Sequence, residues 1–326
     1  MERTFIEMIK ERWRRGFYIC VGLDSDYEKL PSCVKHNGRV RVQDGPGIQP
    51  AIFNFNYEIV KATNDLVCAY KVNTAPYEAW GTEGIGALNT TLANIRLLAP
   101  DVPVILDAKR ADIGNTNKRY AQFAFSWLQA NAITTNPYFG EEEGLDVFLQ
   151  QADKGIFVLC RTSNKGAKEV QDLQVRVADY ETATRLNIDL CTFFQCKLGK
   201  DDTPTISLWE YVAHLAAYAW NKNGNCCIVV GATYPQELCM ARKIVGEDMP
   251  ILIPGIGAQG GDLRKVVEFG MNYSLDKGII INASRSIIFA SDGPDFARAA
   301  RSETGRLHNL IHQYRQEIEK ERNEHE

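Results

Sequence analysis

The sequence predicts an α/β barrel of eight parallel strands, and three observations carry that expectation. Strand-like and helix-like runs alternate from end to end of the 326-residue chain. The strand-like runs are short, rich in Val, Ile, Leu and Cys, and mostly not alternating, as parallel strands covered on both faces read. There are eight of them, each followed by a helical pattern, which favours a single-domain (β/α)8 barrel over a doubly wound sheet.

The strands are expected at 17–23, 66–72, 102–106, 131–135, 156–161, 226–231, 250–254 and 278–282. Helical patterns follow at 51–64, 84–98, 115–129, 141–152, 207–222, 235–245, 261–269 and 295–320. The last carries Leu307, Leu310, Ile311, Tyr314 and Ile318 on one stripe. An N-terminal helix over 4–14, with Phe5, Ile6, Ile9 and Trp13, is expected to plug the bottom of the barrel. Two segments break the rhythm. Residues 31–50, rich in Pro and Gly, read as a loop. Residues 163–206 form a long insertion after the fifth strand, with a helix-like centre at 176–196. Long insertions in compact domains are often lids, and this one is read so, within one barrel domain spanning 1–326.

Composition narrows the function classes. Hydrophobic residues make up 45% and charged residues 24%, the balance of an ordinary soluble globular protein. A net charge of −4 gives no basic footprint, so nucleic acid is not expected as a partner. No apolar run is long enough to span a bilayer, and Met1–Thr4 leads into a charged amphipathic segment rather than a signal peptide. Nine cysteines without a C-x-x-C read as buried thiols in a reducing compartment. A cytoplasmic location is the expectation, with no membrane association.

The polar candidates gather at strand ends. After the apolar run Val102–Leu106 comes DAKRADIG, residues 107–114, which sets Asp107, Lys109 and Asp112 as D-x-K-x-x-D. Residues i and i+2 of a strand share a face, so Asp107 and Lys109 should point the same way. Carboxylates and ammonium at a strand mouth are expensive to desolvate, and charges kept there usually have a task. Strand one ends Gly22-Leu23-Asp24, strand two Lys71-Val72-Asn73, and strand five runs into Thr162-Ser163-Asn164. Strand seven runs into Pro254-Gly255-Ile256-Gly257-Ala258-Gln259-Gly260, and strand eight into Asn282-Ala283-Ser284-Arg285. In a barrel these ends meet at the face where active sites sit.

Gly255–Gly260 fits G-x-G-x-x-G, but a dinucleotide fingerprint belongs in a βαβ unit with an acid closing the next strand. Here Asp276 precedes the next strand. Phosphate binding suits the segment better: glycine N–H groups and a helix start near Gly260, with Gln259 as a neutral donor and Arg285 as a bidentate one. A plain tight turn is the alternative. His308 and His312, spaced i, i+4, lack a third ligand and read as surface histidines; His214, on an apolar helix, reads as packed.

GLD, AYKVN, DAKRADIGNT, PGIGAQGGD and NASRSI, in that order over about residues 17–290, resemble the orotidine 5′-phosphate decarboxylase family, in its variants with longer loops. The resemblance implies conversion of orotidine 5′-monophosphate to uridine 5′-monophosphate (UMP) and CO2, the last step of pyrimidine synthesis, with no cofactor and no metal. It implies an array of Lys71, Asp107, Lys109 and Asp112, in which Lys109 protonates C6 of the pyrimidine. It implies a homodimer, with Asp112 and Thr116 reaching the neighbouring site. Asp24 and Lys71 are expected at the ribose, Ser163 at the pyrimidine, and Gln259 and Arg285 at the phosphate. Asn73, Ile113, Pro254, Gly257, Gly260 and Ser284 complete the expected substrate contacts. Two positions depart from many relatives: Lys165 stands for proline and Ser284 for glycine.

The chemistry suits these residues. Losing CO2 from a pyrimidine carbon leaves electrons in the ring plane, where the ring cannot delocalise them. A fixed ammonium beside that carbon can stabilise the charge and then protonate it. Two rivals stand beside this reading: a magnesium-dependent sugar-phosphate decarboxylase or synthase on the same barrel, and an inactive nucleotide-binding protein.

Overall fold

A computed structural model of the chain describes residues 3–35, 47–177, 179–188, 205–257 and 260–324. Eight parallel strands close into a barrel: β1 (Ile19–Gly22), β2 (Ala69–Asn73), β3 (Val104–Arg110), β4 (Ala132–Thr135), β5 (Gly155–Arg161), β8 (Cys226–Val230), β9 (Ile251–Pro254) and β10 (Ile279–Ala283). They neighbour one another in chain order, and β10 pairs with β1, Ile19 opposite Ile281. Two further strands, β6 (Gln174–Arg176) and β7 (Thr205–Ser207), form a separate antiparallel pair inside the insertion.

The strands lie where the apolar runs placed them because both faces are covered. β1, β8 and β10 are buried along their whole length. The N-terminal helix, Phe5–Arg14, opens on a Thr4–Glu7 capping box and closes the barrel floor. The Phe5 ring meets Phe157 edge-on at 5.5 Å, and a Cβ on Gly155 would come within 2.3 Å of that ring. Only glycine therefore lets β5 start against the plug. Trp13 Nε1 donates to the Ile279 carbonyl at 2.8 Å and ties the plug to β10.

Several expectations are corrected. Residues 31–50 are not all loop: Ser32–Lys35 is a helical turn, and the next helix, Ile48–Thr63, already includes Pro50. Proline is tolerated in a first turn, where its missing N–H has no intrahelical partner. The helix after β9 begins at Leu263, capped by the Asp262 carboxylate, and Gly260 lies before it with φ +75°. The helix over 115–129 is α-helical only to Ala121 and then widens into a π-turn to Trp127. In the insertion, the described part of the helix-like centre carries a helix over Tyr180–Arg185, and residues 189–196 lie outside the described residues. Val177, Ala183, Leu186, Ile188 and Ile206 form a small core of the insertion's own. His308 and His312 are half-buried rather than on the surface: His312 Nε2 donates to the Gly16 carbonyl at 3.0 Å, and the two rings lie 4.5 Å apart. His214 is buried, its Nδ1 2.8 Å from the Leu186 carbonyl.

Candidate active site

The C-terminal ends of β1, β2, β3, β9 and β10 surround a cavity of about 160 Å³. Asp24, Lys71, Asp107, Pro254, Ser284 and Arg285 all line it. Asp107 is its electrostatic centre. Oδ2 accepts from Lys71 Nζ at 2.8 Å; Oδ1 accepts from Lys109 Nζ at 2.6 Å and from the Thr134 hydroxyl at 2.9 Å. Lys71 also lies 3.6 Å from Asp24 Oδ1. The two lysines differ in setting: the Lys71 side chain is 5% exposed and that of Lys109 is 51% exposed. One ammonium is thus sealed into the barrel and the other reaches its open mouth.

The charge states follow from this packing. Burial alone would push the Asp107 carboxyl up, but the Lys71 and Lys109 ammonium groups and their hydrogen bonds outweigh it and hold the group well below the usual carboxylate range. Burial pulls Lys71 down, and the charges of Asp107 and Asp24 overcome it, leaving Lys71 above its ordinary value. Both groups are charged at neutral pH.

The i, i+2 spacing predicts Asp107 and Lys109 on one face. The structure joins them, but through an irregular backbone. The β3–β4 register shifts between Leu106 and Arg110, and Lys109 itself has φ +49°. A left-handed conformation in a long side-chain residue costs on the order of 1–3 kcal/mol and needs local support. Thr134 supplies it: its hydroxyl accepts from Lys109 N at 2.9 Å while donating to Asp107. Thr134 was absent from the expected site. Its signal was its place at the C-terminal end of β4, a strand end for which no functional residue was proposed. Gly255, Ile256, Asn282 and Ser286 also line the cavity beyond expectation.

Other expected residues stand apart. Asn73 Oδ1 accepts from Ala75 N at 3.2 Å, a local turn that keeps this oxygen on the backbone. Asp112 Oδ1 accepts from Ile113 N at 2.6 Å, and no ion pair joins Asp112 to Lys109 among the described residues. Ile113 is 62% exposed and Thr116 is exposed. Ser163 packs against Gly231, whose Cβ would fall 2.9 Å from that of Ser163. Gly257 has φ +92°, and a Cβ there would meet Ser286 Oγ at 2.6 Å. Ser284 does line the cavity, but its Oγ donates to the Gly22 carbonyl at 2.9 Å. Gln259 lies outside the described residues.

Two larger hollows, about 570 Å³ each, lie elsewhere, one beside Lys10, Trp13 and Arg315 and the other beside Arg3, Met8 and Arg96. Their walls include residues of the N-terminal plug helix, so they belong to the barrel floor. Their ion pairs, Lys277–Asp248 and Lys154–Asp153, are partly solvated, unlike the Lys71–Asp107 pair. Size favours the floor; buried charge and strand-end geometry favour the mouth, and these decide. Among the described residues no three His, Cys, Asp or Glu side chains converge as a metal site, and no helix is long and apolar enough to cross a membrane.

The model of the orotidine 5′-phosphate decarboxylase / HUMPS family matches residues 18–300. The chain belongs to this family. Proteins named orotidine 5′-phosphate decarboxylase from Cellvibrio japonicus and Cupriavidus metallidurans are 40% and 41% identical to it over 300 and 313 residues. The alignments cover 92% and 96% of this chain, and 94% and 99% of those proteins. The solved OMP decarboxylase of Leishmania donovani superposes with a TM-score of 0.68 at 31% identity, covering 94% of this chain and 98% of that one. The UMP synthase of the same organism gives 0.73 at 32% identity and covers 96% of this chain, which spans 57% of that longer protein. Sequence and fold thus agree over nearly the whole barrel, and relatives bearing the decarboxylase name are carbon–carbon lyases.

Proposed function

We propose that this protein decarboxylates orotidine 5′-monophosphate to UMP and CO2 in pyrimidine biosynthesis, with Lys109 as the acid that protonates C6. The observation that carries this is the Lys71–Asp107–Lys109 chain of hydrogen bonds, buried at one end and open at the barrel mouth at the other. Breaking the C–C bond leaves its electron pair on C6. An ammonium held beside that carbon stabilises the pair and then donates a proton to it. Asp107 aims the ammonium, Lys71 neutralises the second carboxylate oxygen, and Thr134 locks the backbone that carries both.

The rest of the ligand fits the remaining walls. Asp24 Oδ1 is buried without a hydrogen-bond partner among the described residues, which leaves an acceptor for a ribose hydroxyl. Arg285 is exposed at the cavity rim and suits a phosphate as a bidentate donor. Gly257, held to glycine by its left-handed φ and by Ser286, lets the backbone approach that phosphate closely. Ser163 is placed at the pyrimidine, with Asn73, Pro254, Gly260, Gln259 and Ser284 around the ligand. Asp112, Ile113 and Thr116 serve the neighbouring site of a homodimer, consistent with the exposure of Ile113 and Thr116, and the 163–206 insertion acts as the lid.

The test is loss of orotidine monophosphate absorbance with purified protein, with and without exhaustive chelation. Turnover that survives chelation supports the proposal. Abolition by chelator turns it toward a metal-dependent sugar-phosphate enzyme, and tight UMP binding without CO2 release turns it toward an inactive binder.

A further inference from the structure

β5 ends on a buried cation. The Arg161 side chain is 1% exposed, yet its partners come from two different segments. Its guanidinium holds Asp172 of the insertion at 2.8 Å, reaches Glu237 on the helix after β8 at 3.7 Å, and lies over the Tyr234 ring at 4.1 Å. Beside it runs a second strut. Gln171 Oε1 accepts from Thr162 N at 3.0 Å, and Gln171 Nε2 donates to the Thr162 hydroxyl at 2.7 Å. Gly231 N donates to the Arg161 carbonyl at 2.8 Å, and the same glycine makes the close approach to Ser163. Ser163 therefore sits on a turn fastened through Arg161, Thr162 and Gly231.

A buried ion pair does little for net stability, because desolvation offsets its attraction. A planar, stacked guanidinium does impose direction, and that is what a loop root needs. Asp172 and Gln171 are the first residues of the insertion to be held this way, nine and eight positions beyond Ser163.

We propose that Arg161 is a positioning residue: through Asp172, with Gln171 alongside, it fastens the root of the 163–206 insertion to β5 and sets where Ser163 meets the pyrimidine end of the ligand. This rests on the decarboxylase reading above. The decisive variant is Asp172→Asn, because the Asp172 side chain is 42% exposed, the substitution keeps its shape, and Glu237 at 3.7 Å remains to pair the buried guanidinium. UMP and ribose 5-phosphate are titrated by calorimetry into folded wild type and variant. The loss of a charge-assisted bond at the tether weakens UMP about tenfold. Ribose 5-phosphate, whose assigned contacts come from β1, β2, β9 and β10 and not from β5, stays within about twofold of wild type. KM for orotidine monophosphate rises more than kcat falls, Asp172→Glu restores both, and Arg161→Lys reproduces the split if it folds. Equal weakening of both ligands, or wild-type UMP affinity in Asp172→Asn, overturns the tether while leaving the decarboxylase reading in place. A wild-type protein that neither binds UMP nor turns over substrate removes both.

Discussion

Replacing Lys109 with alanine separates catalysis from stability at this site. The Lys109–Asp107 pair joins a half-exposed side chain to a carboxylate that keeps two other donors, Lys71 and Thr134. A pair so solvated contributes under about 1 kcal/mol, so Tm should move by no more than about 4 °C. Turnover should respond very differently. Loss of a positioned general acid removes about 10²–10⁴-fold, and loss of a preorganised charge at the developing carbanion about 10²–10³-fold more. Together they predict a fall in kcat on the order of 10⁴–10⁷-fold. Asp107→Asn makes the contrast. It strips the principal partner from Lys71, whose side chain is 5% exposed, leaving Asp24 at 3.6 Å. Breaking a buried pair costs about 3–5 kcal/mol, so this variant should lose both stability and activity, at the lower end of that range because Asp24 remains. The assay is the ultraviolet decay of orotidine monophosphate, with calorimetry of UMP binding and thermal melts in parallel. A Lys109→Ala enzyme within about tenfold of wild-type kcat would refute the assignment of the acid, since even the weakest general-acid term exceeds that.

Other perturbations test other parts of the reading. Arg285→Ala should weaken UMP by about 10–100-fold and uridine hardly at all, measured by competitive inhibition; equal losses would remove Arg285 from the phosphate. Mixing inactive Asp112→Ala with inactive Lys109→Ala subunits should restore a fraction of turnover through hybrid dimers, and no recovery across mixing ratios would count against a shared site. Burial lowers the imidazoles of His214, His308 and His312. His312 is held neutral on geometric grounds as well: Nε2–H donates to the Gly16 carbonyl, and Nδ1 accepts from Arg315 at 3.3 Å. Groups with depressed folded values stabilise above their unfolded value and lose that contribution as pH falls. Melting temperature should therefore begin to drop below about pH 6.5, before Asp107 titrates, and His312→Gln should flatten part of the slope. A flat melting profile from neutrality down to about pH 5 would contradict this.

The barrel was legible in the chain because its signals are short-range. Strands covered on both faces must be apolar along their length, and glycine and proline mark where they stop, so Val102–Leu106 or Cys226–Val230 can be placed from neighbours alone. That Asp24, Lys71, Asp107 and Arg285 share a mouth follows from the same logic, since parallel strands bring their C-terminal ends to one face. What the tertiary structure decided depends on register and packing between distant segments. Thr134 meets Asp107 and Lys109 only because β4 pairs with β3 across a register shift, and the left-handed turn at Lys109 exists only with that support. β6 and β7 stand 28 residues apart between Arg176 and Thr205 and carry no local turn signal to announce their pairing. Arg161 reads in the chain as one more charge at the end of an apolar run. Its burial among Tyr234, Glu237 and Asp172 becomes visible only once β5, β8 and the insertion are folded together.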